Sequence, residues 1–339
     1  MQILRGEPLQ AYNSLRLQAR AEALVRIESD AELVAACRWA GERDLPVVPL
    51  GEGSNVVLAG DLEALVLRLD TRGIEVLADE GDRVTLRVAA GENWHQLVQW
   101  TLQQGLYGLE NLALIPGTAG AAPIQNIGAY GVELQSMVQA VHALEIASGK
   151  QLSLTRAECT FGYRDSVFKQ ALRDRLLISA VDLCLSRQPR VQIRYPALGG
   201  FLEQAGQNDP TPGQVFDAVV SIRRSKLPDP ALEPNAGSFF KNPLLEAARA
   251  QELAEKYPNL PQYPQADGRV KLAAAWLIEF CGWKGYREDD IGIHPQHALV
   301  IVNYGNDNGA RLLSLASEVA ATVAATFGVE LVIEPRVYG

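Results

Sequence analysis

Positive charge is the first thing this sequence has too little of. Lys and Arg number 31 against 40 Asp and Glu, for a formal net charge of −9. Nucleic-acid binders carry a basic excess, so no nucleic-acid partner is expected. An anionic ligand would need a local basic pocket set into an acidic body. Cysteine is scarce as well. Cys37, Cys159, Cys184 and Cys281 are widely spaced and form no C-x-x-C pair. That excludes a disulfide framework and fits reduced thiols of the cytoplasm, the expected location. His95, His142, His294 and His297 are the only histidines. The one close pair, His294 and His297, precedes an apolar strand with no third ligand nearby, so no metal site is expected. No apolar run is long enough to span a bilayer, and Met1 to Glu7 lack the apolar core of a signal peptide, so no membrane partner is expected either.

What the chain has is an ordinary globular composition, 47% hydrophobic and 21% charged over 339 residues, enough for two or three domains with real cores. Its most informative stretch is Ile115-Pro116-Gly117-Thr118-Ala119-Gly120-Ala121-Ala122-Pro123-Ile124-Gln125-Asn126-Ile127-Gly128-Ala129-Tyr130-Gly131. Four glycines and two prolines break both helical and strand periodicity. Bare main chain of this kind suits packing against a flat or charged ligand. Taken alone, the run fits an ordinary glycine-rich loop equally well. Two further runs tip the balance: Gly51-Glu52-Gly53-Ser54-Asn55, and Asn235-Ala236-Gly237-Ser238-Phe239-Phe240-Lys241-Asn242-Pro243. The first follows a strand and has amide and hydroxyl donors suited to a pyrophosphate. It is not a Rossmann fingerprint, since Val56 stands at the third glycine position and no helix begins there.

The pattern predicts the following elements. Ser29-Asp30-Ala31-Glu32 is a capping box opening a helix to about Arg43. Strands follow at 45–50 and 64–69, then an alternating stretch at 74–90 with Val84, Leu86 and Val88 on one face. Asn93 caps a helix that stops near Gly105. Strands are expected at 138–146, 176–185, 191–195, 298–303 and 329–333. Helices are expected at 244–257, 271–281 and 309–327, with Gly328 ending the last. A basic segment, Ile222 to Leu227, runs into a Pro-rich link and marks the last domain boundary.

Further motifs narrow the reading: Tyr163-Arg164-Asp165-Ser166, Lys226-Leu227-Pro228-Asp229-Pro230 and Ile333-Glu334-Pro335. With the three runs above, in this order, the chain resembles the UDP-N-acetylenolpyruvoylglucosamine reductase family, flavoenzymes of peptidoglycan precursor synthesis. The likeness runs nearly end to end. It implies an α+β fold: a two-lobed FAD-binding region of the vanillyl-alcohol-oxidase (PCMH) type, lobes 1–70 and 71–223, plus a C-terminal α/β substrate domain, 224–339. It implies non-covalent FAD, NADPH as hydride donor, and reduction of the enolpyruvyl ether of a UDP-sugar to a lactyl ether. A monomer is expected.

Such an acceptor gains negative charge on its carboxylate as the reaction proceeds, and the neighbouring carbon needs a proton. The site therefore needs a cation, an acid and fixed donors. The resemblance assigns Arg164 as the cation, Ser238 as the proton donor and Glu334 as the third catalytic residue, protonated during turnover. It places FAD on Gly51, Gly53, Ser54, Asn55, Ile115, Pro116, Gly117, Thr118, Gln125, Asn126, Gly128, Ala129 and Tyr130. Substrate falls to Tyr195, Lys226, Asn242, Tyr263 and Lys284. Tyr195 fits the tyrosine of the family's larger subtype, and NADPH and substrate are expected to alternate at one site. Two departures stand out. Gln296-His297 replaces a Gln pair, and Asn13-Ser14-Leu15-Arg16-Leu17 replaces an Asn-Thr-Phe-Gly-type opening. Judged without the family, Arg164 reads as a partner of Asp165 and Ser238 as a loop serine. The alternatives are another FAD-dependent oxidoreductase of the same fold, or a non-redox UDP-sugar binder. Flavin colour and its bleaching separate all three.

Overall fold

The structure is a computed structural model that describes residues 1–305 and 308–339. The chain forms two compact units, each assembled from separate stretches. Met1–Glu7, Ala21–Glu52 and Glu63–Ser225 make one; Pro8–Arg20, Gly53–Leu62 and Lys226–Gly339 make the other.

The first unit holds two sheets. One has the strand order Ile3–Pro8, Arg20–Ile27, Leu62–Leu69, Val47–Leu50, and its last pair is parallel. Helix Asp30–Gly41 starts at Ser29, whose side chain accepts the Glu32 N–H, as the capping box predicts. Leu33, Ala36, Cys37 and Ala40 recur at helical spacing and pack on Ala23, Val25, Leu65 and Leu67. The other sheet is antiparallel, in the order Gln151–Thr155, Val138–Glu145, Leu176–Ser186, Arg83–Ala89, Ile74–Asp79. Val84, Leu86 and Val88 alternate inward against Trp94, Leu97 and Val98 of helix Trp94–Gln103. Asn93 caps that helix, accepting the Gln96 N–H at 2.9 Å. Val215, Ala218, Val219 and Ile222 of helix Pro212–Lys226 join the same core.

The second unit is built on an antiparallel sheet of Asn235–Ser238, Val300–Asn303, Ile291–Ile293 and Arg287–Glu288. A three-stranded sheet, Leu244–Leu245, Val270–Leu272 and Gln262–Pro264, lies in the same unit. Strand Arg336–Tyr338 pairs in parallel with Val56–Leu58, which explains why the early segment Gly53–Leu62 belongs here. Helix Gly309–Phe327 is long and apolar enough to cross a membrane by length and composition alone. Its Leu312, Leu315, Ala316, Val319, Val323 and Phe327 are nevertheless buried in the unit at core-helix spacing. Gly328 ends it in the left-handed region, φ 64°.

Several expectations need correcting. Residues 191–195 form no strand; the carbonyl of Gln192 is taken instead by the Asn111 side chain, at 2.7 Å. Residues 329–333 make one lone bridge, Ile333 to Phe240, and the closing strand is Arg336–Tyr338. The helices expected at 244–257 and 271–281 each give up their first residues to the three-stranded sheet and begin at Ala247 and Ala274. The stretch 74–90 is two strands, not one. The basic segment up to Lys226 forms the last turn of a helix.

Candidate functional site

In the first unit, the two glycine-containing runs meet. A Cβ on Gly51 would lie 2.8 Å from the Thr118 Oγ1. Glu52 joins them: its carboxylate accepts the Gly117 N–H at 2.9 Å and the Asn93 amide at 2.5 Å. The Arg68 guanidinium donates to the Gly51 carbonyl. Asn93 and Thr118 form a bridge, and the Trp94 N–H donates to the Gly117 carbonyl at 3.0 Å. These bonds hold the segment from Gly117 to Gly120 against the start of a rigid helix. Thr118 is buried, Ile115 half-buried and Pro116 exposed.

A short 3-10 turn, Ala122–Gln125, then leads to Asn126 in the left-handed region, φ 44°. Gly128–Ala129 and Val132–Glu133 form a hairpin. Its tip is Tyr130-Gly131, with φ values of 47° and 82°, the two positive angles a type I′ turn requires. The turn presents the Tyr130 ring edge-on to Tyr195, 5.5 Å between centroids. Buried Asn111 fixes both, donating to the carbonyls of Tyr130 (3.0 Å) and Gln192. Burial raises the Tyr130 phenol above its ordinary pKa, so it stays a neutral donor at physiological pH.

Arg164 sits at the tip of a two-residue turn closed by Gly162 and Asp165, with φ 52°. Its guanidinium donates to the Gly128 carbonyl and lies 5.4 Å from the Tyr163 ring centroid. Motif reading missed Arg223, one turn of helix before Lys226. Burial lowers its pKa, and the nearby charge of Arg164 adds to that, while Tyr130 opposes it. Its Nε is buried without a hydrogen-bond partner among the described residues. A buried guanidinium atom left without an acceptor, close to a second cation, suits a ligand bearing anionic oxygen. The available signal was the Arg-Arg pair in an acidic chain.

In the second unit, Gly53 has φ 63°, and a Cβ there would lie 2.0 Å from the Tyr12 carbonyl oxygen. The glycine thus serves a close approach of the protein's own chain. The Ser14 N–H donates to the Gly53 carbonyl at 3.0 Å, and the Ser14 hydroxyl reaches the Asn235 carbonyl at 2.7 Å. Ser54 and Asn55 are half-buried, and the Asn55 carbonyl accepts the Arg336 N–H.

Ser238 ends its strand opposite Val300, after a register shift that begins at Asn235. Gly237 before it, φ 71°, faces open space. The Glu334 N–H donates to the carbonyl of Phe239 at 2.9 Å. Ser238 and Glu334 therefore lie on neighbouring extended segments, and Phe239 and Phe240 between them in sequence are fully buried. The Asn242 side-chain oxygen accepts the Ala274 N–H at 2.9 Å, capping helix Ala274–Phe280 and fixing which way its NH₂ points.

His297 lies within the electrostatic reach of Lys226 and Lys284. Burial lowers that imidazole's pKa, and the charges of His294, Lys226 and Lys284 lower it further. Its Nδ1 accepts the Leu299 N–H at 3.3 Å, which leaves the proton on Nε2. Lys284 also pairs with Glu279 at 3.0 Å. Tyr263 stands apart on an edge strand, exposed. No group of three or more metal-ligating side chains occurs among the described residues.

Arg164, Arg223, Tyr130 and Tyr195 thus gather in one unit, and Ser238, Glu334, Asn242, Lys226, Lys284 and His297 belong to the other.

Residues 21–155 match the model of an FAD binding domain, and residues 229–338 match that of the C-terminal domain of UDP-N-acetylenolpyruvoylglucosamine reductase. The UDP-N-acetylenolpyruvoylglucosamine reductase of Pseudomonas fluorescens is 48% identical over 97% of this chain and 97% of its own length. That of Paraburkholderia phymatum is 49% identical over 97% of this chain and 95% of its own. The crystal structure of the corresponding reductase from Thermus caldophilus superposes with a TM-score of 0.69 at 24% identity, covering 100% of this chain and 98% of that one.

Proposed function

The chain belongs to the UDP-N-acetylenolpyruvoylglucosamine reductase family, and on that premise we propose how its residues carry out the family reaction. The protein is an FAD-dependent oxidoreductase that uses NADPH to reduce UDP-N-acetylglucosamine enolpyruvate to UDP-N-acetylmuramate, in peptidoglycan precursor synthesis. The buried, acceptor-less Nε of Arg223 beside Arg164 and Tyr130 fits a site for such anionic, oxygen-rich groups. When bound, FAD supplies the relay of a hydride from NADPH to the acceptor. Glu52, Gly117, Thr118 and the Tyr130 hairpin form the part of the first unit that would hold it.

Arg164 and Arg223 bind the enolpyruvyl carboxylate and stabilise the charge that grows on it. The Ser238 Oγ delivers a proton to the carbon next to that carboxylate. Glu334, protonated, donates a hydrogen bond on the same side, and Lys226 and Asn242 stabilise the serine oxygen as it loses its proton. Lys284 and the Nε2–H of His297 offer donors to the diphosphate, over which Tyr195 lies, and Tyr263 is a further substrate contact. Lobes 1–70 and 71–223 serve FAD and 224–339 serves substrate, with Pro8–Arg20 and Gly53–Leu62 packed into the last unit. The protein acts as a monomer in the cytoplasm.

The observation that supports this reading is the hydrogen bond from the Glu334 N–H to the carbonyl of Phe239, the residue after Ser238. Spectroscopy of purified protein tests it. Flavin absorption should bleach with NADPH and return when the enolpyruvyl sugar is added. Bleaching without return points to another oxidoreductase, and colourless, FAD-indifferent protein to a binder.

A further inference from the structure

Asn126 was expected to touch the cofactor, but its side chain is completely buried and every polar atom on it is engaged by protein. Its Nδ2 donates to the Glu133 Oε2 and to the Gly162 carbonyl, both at 3.0 Å. Its Oδ1 accepts the Gln135 N–H at 2.9 Å. Both donor hydrogens are thereby used, and the oxygen carries a bond as well.

These bonds close a circuit around Arg164. Gly162 is the first residue of the turn that carries Arg164, closed by paired bonds to Asp165 of 3.0 and 3.3 Å. Arg164 sits in that turn at φ 52°, where glycine or asparagine is normally found. Its guanidinium returns to the carbonyl of Gly128, two residues after Asn126. Glu133, which accepts from Asn126, is also the hairpin partner of Gly128. A Cβ on Gly128 would lie 3.0 Å from both the Arg164 Nη1 and the Glu133 Cγ, so the two side chains flank one α-carbon. A second tie, the Ser166 hydroxyl to the Ile124 carbonyl at 2.6 Å, holds the far side of the turn.

We propose that Asn126 is a positioning residue for Arg164: it clips the arginine's turn to the hairpin whose carbonyl receives the guanidinium, so the cation meets the substrate carboxylate already aimed. The left-handed backbone explains the residue type. Asparagine adopts this conformation at little cost and still has an amide with which to reach two acceptors.

The inference rests on reading Arg164 as the carboxylate's cation, and the test separates the two. The quantity measured is binding selectivity, the ratio of Kd values for UDP-N-acetylglucosamine and its enolpyruvyl ether, by calorimetry on the oxidised holoenzyme. Asn126→Gly removes the amide while keeping a backbone that tolerates positive φ. Asn126→Asp keeps shape but cannot donate, and sets a carboxylate against Glu133. Both should cut the selectivity about 10-fold, as Arg164→Ala should, and the double variants should lose no more than Arg164→Ala alone. Reoxidation of reduced flavin by substrate should slow by up to ~10²-fold, with flavin retained. Additive losses, unchanged selectivity, or flavin loss in both Asn126 variants would overturn the positioning role. Wild-type selectivity in Arg164→Ala itself would instead remove the reading of Arg164, and the role of Asn126 with it.

Discussion

The main-chain N–H of Glu334 rests on the carbonyl of Phe239 at 2.9 Å. Almost a hundred residues separate these positions in sequence, yet this bond sets Glu334 on the segment next to the one that carries Ser238. A main-chain bond of this kind holds the two segments more rigidly than side chains would, which the proposed proton delivery requires.

Loss of the serine proton should therefore show in one half-reaction only. Ser238→Ala should leave flavin reduction by NADPH near normal and slow reoxidation by substrate about 10²–10⁴-fold. Stopped-flow absorbance measures both steps. Equal damage to the two would remove Ser238 from the donor role.

Arg223 should behave as a second cation. Arg223→Ala should cost about 10²–10³-fold in kcat for the substrate half-reaction, because charge on the carboxylate grows toward the transition state. Arg223→Lys should recover only part of this, since a point charge cannot bind in bidentate fashion. An effect confined to KM would mean that the arginine binds reactant and transition state alike.

His297 predicts two opposite pH dependences. Its folded-state pKa lies below the unfolded value of 6.5. The unfolded chain thus takes up a proton first as pH falls, so this residue's contribution is complete above about 6.5 and declines as pH drops below it. A bound diphosphate favours the imidazolium instead, so substrate affinity should tighten over the same range. His297→Gln should flatten both curves, read by urea midpoints and calorimetry at pH 7.5 and 5.5. Unchanged slopes in the variant would assign the titration elsewhere.

Gly53→Ala should be severe for stability. The new methyl would lie 2.0 Å from the Tyr12 carbonyl oxygen, at φ 63°. A loss of at least about 2 kcal/mol is expected, from strain and displaced main chain together. Gly237→Ala, at φ 71° with open space beyond it, should cost only the conformational ~1–2 kcal/mol. Thermal unfolding ranks the two, and equal losses would mean that the Tyr12 segment yields.

NADPH and the UDP-sugar both need access to the same bound FAD. Alternating occupancy then gives parallel double-reciprocal plots, and intersecting lines would count against it.

Local chemistry was legible wherever residues act on their near neighbours. The Ser29 and Asn93 caps, the alternation of Val84, Leu86 and Val88, and the stop at Gly328 all fall where expected. Misreadings occurred where a distant partner decided. Residues 191–195 look like a strand, but Asn111 takes the Gln192 carbonyl. Arg16 stands where the family pattern has glycine and nonetheless adopts φ 52°. Neighbouring Asn13 and its bonds to Leu9 and Leu17 hold that backbone in place, which the motif alone does not reveal.

The amino-acid order by itself determined the capped helices and the alternating strands, and, through family likeness, which chemistry the chain performs. Short-range sterics and periodic burial act within a few residues, so they can be read along the chain. Tertiary structure alone decided that Glu52 joins the two glycine-rich runs, that Asn126 serves Arg164 through Gly162, and that the Arg223 Nε is buried near another cation. Those are contacts between residues far apart in sequence. They form only because the folded core takes up the entropy of bringing distant segments together, and no local pattern records which partner each will meet.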